Sequence, residues 1–182
     1  MALEIERKFL VDTALWQRPV GGVRMRQGYV ATKDGTTVRV RIAGEKAYLT
    51  LKDHAVGLTR HEFEYEIPVA DAETLLDTMC AKPQVDKVRY RIPAAEPGLV
   101  WEVDEFLGDN APLVTAEIEL PTEDTPFSRP AWLGADVTDA HRYKNNNLAR
   151  EPYSAWKACQ NPEEQLRQGL NAVAHHIISG CS

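Results

Sequence analysis

The chain has 182 residues, 43% of them apolar, and a formal net charge of −6. That length suits one domain with a real core and is short for two. The acidic balance excludes a broadly basic nucleic-acid-binding surface, although a local basic pocket is compatible with it.

The first 120 residues read mainly as strands. Glu4 to Val11 alternates charged with apolar residues, apart from Arg7. Val23–Thr32, Thr36–Ala43 and Ala47–Asp53 follow, split by the short glycine-containing breaks Lys33-Asp34-Gly35 and Gly44-Glu45 that hairpins require. Leu58–Pro68 is another alternating run. Asp71–Met79 then predicts a short helix, with Asp71 as cap and Leu75, Leu76 and Met79 at helical spacing. Strands resume at Val85–Ile92, Val100–Phe106 and Leu113–Leu120. Short connections predict a mainly β fold: a meandering, eight-stranded antiparallel closed barrel over about residues 2–120.

The last third, about residues 126–182, changes character and completes the same expected domain. Short helices are expected within Arg129–Leu133 and Asn145–Trp156. A longer one starts at Asn161, with Pro162 in its first turn, Glu164 at the capping-box position, and Leu166, Leu170, Val173 and Ile177 as its apolar stripe.

Side chains two apart on a strand share a face. Sorting by parity puts Glu4, Glu6 and Lys8 together, and likewise Arg39 with Arg41, Thr50 with Lys52, and Glu62 with Glu64. Lys87, Arg89 and Arg91 align, as do Glu102 with Asp104 and Glu117 with Glu119. The opposite faces are apolar. A half-exposed sheet with cross-strand ion pairs would show the same alternation. It would gain nothing from same-sign doublets, whereas a site for a polyanion and hard cations needs both kinds. With charges inward, the apolar outside needs cover; the helix near Leu75, the Trp132 region and the helix from Pro162 are the candidates. Outward Arg7, His61 and Glu105 fit lipid poorly.

Glu4-Ile5-Glu6-Arg7-Lys8 is an ExExK motif. With Arg39-x-Arg41, Lys52, Glu62-x-Glu64, Lys87-x-Arg89, Asp104 and Glu117-x-Glu119 in that order, the chain resembles the CYTH, or triphosphate tunnel metalloenzyme, superfamily. Gln27-Gly28-Tyr29 and Trp132 to Thr138 resemble segments of its short bacterial members. The resemblance implies a charged eight-stranded tunnel and Mg²⁺- or Mn²⁺-dependent chemistry on a triphosphate, with inorganic tripolyphosphate as the expected substrate. Adenylate cyclase and thiamine or nucleoside triphosphatase are the alternatives within that class, and a non-catalytic polyphosphate- or nucleotide-binding module is the alternative outside it.

On this reading Lys8, Arg39, Arg41, Lys52, Lys87 and Arg89 hold phosphate oxygens. Glu4, Glu6, Glu117 and Glu119 form the metal shell, and Glu62, Glu64 and Asp104 serve a second metal or orient the basic residues. The base is either a carboxylate such as Glu4 or Glu6, or one of Lys8 and Lys87 with a lowered pKa. Charges near the N-terminus interrupt any apolar leader, and no run reaches the ~18 apolar residues of a membrane helix. Cys80, Cys159 and Cys181 form no metal or disulfide spacing, so a cytoplasmic setting without membrane or nucleic-acid partners is expected.

Overall fold

The computed structural model describes residues 5–32, 36–52 and 61–157. Glu4, the start of the Leu58 run and the helix expected from Asn161 lie outside the described residues. The strands are β1 (Ile5–Val11), β2 (Val23–Val30), β3 (Thr37–Ala43), β4 (Lys46–Lys52), β5 (Glu62–Ile67), β6 (Val85–Pro93), β7 (Val100–Phe106), β8 (Val114–Leu120) and β9 (Leu133–Asp136). Helix α1 (Val69–Thr78) joins β5 to β6, and α2 (Asn145–Leu148) and α3 (Tyr153–Lys157) follow β9.

The sheet is antiparallel throughout, in the order β5-β4-β3-β2-β6-β7-β8-β1-β9. The expected strands are present, and four details differ. The described sheet has nine strands, because Leu133–Asp136 is extended and lies beside β1. The Arg129–Leu133 stretch is therefore a turn leading into a strand, not a helix; Pro130 begins the turn, with Leu133 N–H donating to its carbonyl at 2.9 Å. The edge strands β5 and β9 are not hydrogen-bonded to each other among the described residues, so no ladder closes the sheet. Nor is the order a plain meander. At Pro68 the chain leaves β5 into α1, which crosses the outside of β3 and β4 and returns it to the free edge of β2, where β6 pairs.

The outward faces carry the two covered cores. Over β2–β4, Val40, Ala47, Ala72, Leu76 and Cys80 pack together, with α1 as the lid. Over β6-β7-β8-β1, Phe9, Tyr90, Trp101, Val103 and Ile118 are covered by Trp16, Phe127 and Trp132. The rings of Trp101 and Trp132 meet edge-to-face at 5.7 Å, so Trp132 is a packing residue. Glu105 lies on this apolar face but is not unpaired: Trp16 Nε1 donates to it at 2.6 Å and Arg18 Nε at 2.8 Å. The third cluster sits at one end of the sheet's inner face. Leu10, Val85 and Phe106 continue the inward parity of Lys8, Lys87 and Asp104, and Tyr143, Leu148, Tyr153 and Trp156 pack on them. Buried Asn110 ties this plug down, accepting from Tyr153 N–H at 2.8 Å.

Gly28 faces α1, where an added Cβ would lie 2.8 Å from Cys80 Cβ and 3.0 Å from Leu76 Cδ2. Gly28→Ala is therefore expected to destabilise the protein by about 1–3 kcal/mol through overpacking, read from urea denaturation midpoints.

Candidate active site

Pairing registers turn the parity doublets into rows across the sheet. Lys8 stands opposite Glu117, Glu117 opposite Glu102, and Glu102 opposite Arg91. Arg89 stands opposite Asp104, and Asp104 opposite Thr115. On the other wall Tyr29, Arg39, Thr50 and Glu64 form one row, while Lys52 faces Glu62. The two walls face each other: Tyr29 on β2 senses the charges of Lys8 and Glu117, and Arg41 on β3 those of Arg89 and Glu102. The charged face is the inside of a curled sheet.

The β6-β7-β8-β1 wall is a buried network of alternating sign. Lys8 Nζ donates to Glu117, and Arg89 Nη2 donates to the other Glu117 oxygen at 2.7 Å. Arg89 Nε and Nη2 grip Asp104 at 2.7 and 2.6 Å, Lys87 Nζ reaches Asp104 at 2.6 Å, and Arg89 Nη1 donates to Glu102. Asp104 is fully buried, Lys87 is 1% exposed and Lys8 5%.

Burial disfavours every one of these charges, and the partners decide the outcome. For Lys8, desolvation is outweighed by Glu117, Glu6 and Asp104, which hold its pKa above the ordinary lysine value. For Lys87, desolvation and neighbouring Arg89 prevail over Asp104 and Glu117, lowering its pKa to about 8. Desolvation would raise Asp104 and Glu117, but Lys87 and Arg89 for the first, and Lys8, Arg89 and Lys87 for the second, hold both below the usual carboxylate range.

The β3-β4-β5 wall is more open and less compensated. Arg39 and Arg41 Nη2 both reach Glu64 Oε2 at 3.2 Å, Thr50 Oγ1 donates to the same oxygen at 2.8 Å, and Lys52 Nζ lies 2.6 Å from Glu62. The Nε–H groups of Arg39 and Arg41 are shut away without a hydrogen-bond partner among the described residues. Desolvation and Arg39 together lower the pKa of Arg41. Two buried donors without acceptors, on adjacent inward cations, are what an anion's oxygens would satisfy.

Among the expected metal residues, Glu62, Glu64, Asp104 and Glu117 therefore share their oxygens with basic side chains. Glu6 and Glu119 stand directly opposite each other on β1 and β8, both exposed. Like charges so placed repel, and their all-oxygen donor set suits a hard divalent cation. Glu4 lies outside the described residues. No trio of His, Cys, Asp or Glu is gathered for a metal among the described residues.

Parity reasoning passed over Gln27, 1% exposed, whose Nε2 donates to Tyr29 Oη at 2.9 Å, and Thr115, fully buried opposite Asp104. Both share a face with residues already singled out, so the same rule would have found them. Asn145, with Oδ1 3.5 Å from Lys87 Nζ, carries no such signal. Arg24 and Arg26 point outward into ion pairs with Asp86 and Asp77, both at 2.6 Å. No helix among the described residues is long and apolar enough to cross a membrane.

The architecture is that of a β tunnel whose inner face holds the charge, with an apolar plug at one end, and whose outer face holds the other two cores. The CYTH domain matches residues 2–153, and the chain belongs to that family. It is similar to an inorganic triphosphatase of Acetivibrio thermocellus, at 46% identity over 157 residues, 86% of this chain and 99% of the relative. It is also similar to an inorganic triphosphatase of Nitrosomonas europaea, at 39% identity over 151 residues, 80% and 96% of the two chains. A crystal structure of an inorganic triphosphatase superposes with a TM-score of 0.63 at 37% identity, covering 82% of this chain and 95% of the other.

Glu117→Gln removes one carboxylate from between Lys8 and Arg89. A loss of about 3–5 kcal/mol of stability is expected from urea denaturation. Since Asp104 and Glu117 titrate lower in the folded chain than in the unfolded one, their contribution is complete above the ordinary carboxylate range, about pH 4. It is lost as the pH falls through the folded values. The wild type should lose stability steeply below about pH 4, and Glu117→Gln less steeply.

Proposed function

We propose that the chain hydrolyses inorganic tripolyphosphate to pyrophosphate and phosphate inside the tunnel, with Mg²⁺ or Mn²⁺. What carries this reading is the pair of unsatisfied, buried guanidinium Nε–H donors of Arg39 and Arg41, facing a wall that holds Lys8, Lys87 and Arg89. The relatives' activity and the shared family support it.

Arg39, Arg41 and Lys52 on one wall, and Lys8, Lys87 and Arg89 on the other, bind the non-bridging oxygens of the phosphate chain. Arginine's planar fork suits paired oxygens, and lysine supplies a compact charge. Lys8 is held charged by Glu117 and Glu6, so it remains a cation for phosphate throughout the neutral range. Holding the chain from both sides fixes the terminal phosphorus and presents donors where negative charge accumulates as the bond breaks. Water oxygen forms the new P–O bond, the bridging P–O bond breaks, pyrophosphate leaves, and the water's proton passes to a carboxylate at the mouth or to solvent.

Glu6 and Glu119, and Glu4, two residues before Glu6 in the sequence, would hold the divalent ion. When bound, it supplies charge neutralisation of the phosphates and acidification of water. Glu62, Glu64, Asp104 and Glu117 orient the basic residues.

The experiment is a phosphate-release panel over tripolyphosphate, ATP and thiamine triphosphate with each metal. Tripolyphosphate is expected to have the highest kcat/KM; a preference for ATP with cyclic product would make the chain a cyclase. Tight tripolyphosphate binding without release would make it a binding module. Arg41→Ala should cut kcat/KM on the order of a hundredfold, and Glu119→Ala should raise the metal concentration needed for half-maximal rate.

A further inference from the structure

The stretch from Asp136, the end of β9, to Asn145 touches both deeply buried lysines. Val137 N–H donates to the Lys8 carbonyl at 2.8 Å, and Lys8 N–H donates to Thr138 Oγ1 at 3.1 Å. The Thr138 hydroxyl proton goes to Asp136 Oδ1 at 2.6 Å, which also accepts from Thr138 N–H at 2.9 Å, and the Asp136 carboxylate pairs with Arg7. Lys8 is thus held on both flanks, by β8 on one side and by this turn on the other. The β1–β9 pairing ends at Phe9 opposite Asp136, and beyond it Lys8 is met by one backbone donor, Val137 N–H, and one side-chain acceptor, Thr138 Oγ1. Since a one-residue slip turns an inward side chain outward, a fixed hydroxyl beside Lys8 pins its direction. Seven residues later, Asn145 Oδ1 accepts from Lys87 Nζ at 3.5 Å, beside the 2.6 Å contact to Asp104.

Resting on the proposed triphosphate hydrolysis, we infer that Asp136, Thr138 and Asn145 form a positioning unit that aims Lys8 and Lys87 at the substrate. None of the three needs to touch the reacting atoms. Thr138 acts through the backbone of Lys8, Asp136 through Thr138, and Asn145 through the ammonium of Lys87. A displacement near 1 Å at such a group costs up to about a hundredfold in rate. A residue that merely supported the fold would lower the folded fraction and leave the kcat of the folded remainder unchanged.

The test measures kcat and KM for tripolyphosphate with Mg²⁺ in T138V, T138S and N145A, with urea midpoints to fix the folded fraction. T138V keeps the shape of threonine and removes the hydroxyl. It is expected to lower kcat about tenfold or more, with KM changed less than about threefold; T138S should recover most of the loss, and N145A should show the same split. Should T138V not fold, N145A decides, because it sits on a different element. Wild-type kcat in T138V and N145A would overturn the inference while leaving the hydrolysis intact, and equal losses in T138V and T138S would also overturn it. A wild-type protein that releases no phosphate from any triphosphate would overturn the proposed function, and this inference with it.

Discussion

The structure depends on one constraint: charges enclosed by a sheet must compensate one another where they stand. Lys8, Glu117, Arg89, Asp104 and Lys87 are linked in a chain of alternating sign, each touching the next. Desolvating any one of them alone would cost several kcal/mol. Their adjacency therefore requires β1, β8, β7 and β6 to lie side by side in the observed order. It also fixes the register, since a slip by one residue would put Phe9, Ile118 and Val103 inside and the ions outside.

From that choice the rest of the architecture follows. Charges inward leave a largely apolar outer face, broken by ion-paired Arg24, Arg26 and Glu105, and an apolar outer face in water needs cover. Helix α1 supplies it over β2–β4, and Trp16, Phe127 and Trp132 supply it over the other half. The end of the inner face beyond Lys8 and Lys87 cannot carry more charge without more partners. It becomes apolar at Leu10, Val85 and Phe106, and the segment after β9 packs there. The described segment after β9, up to residue 157, is thus the completion of the inner face as much as an addition to the sheet.

The parity of the charges was readable because a strand's period of two is local: Glu-x-Glu and Arg-x-Arg need no knowledge of neighbours. Pairing is not local. The β2–β6 contact exists only because α1 carries the chain back across the sheet, and hairpin signals between consecutive strands cannot disclose it. β9 escaped notice because its four residues include Gly134 and Ala135, which carry little strand preference. Register, not spacing, decides what stands opposite each carboxylate of an acidic doublet. Glu117 falls opposite Lys8, whereas Glu119, two residues on, falls opposite Glu6. The same doublet supplies one residue to the buried network and one to the mouth, a division that no spacing rule contains.

That division also gives the tunnel its direction. Deep in the sheet, Glu117 and Asp104 are committed to basic partners and hold Lys8 and Arg89 in their charged forms. Across from them Arg39 and Arg41 share the one carboxylate of Glu64 and retain donors it does not satisfy. At the mouth, Glu6 and Glu119 oppose each other in reach of water, where facing carboxylates are tolerable because solvent screens them and a cation can relieve them. An anion entering alone would meet the acidic mouth before the basic interior. An anion carrying divalent cations would be drawn by both. The gradient from facing acids at Glu6 and Glu119 to under-compensated cations inside is thus set by backbone register, and on the proposed function it favours a metal-complexed polyphosphate over a bare one.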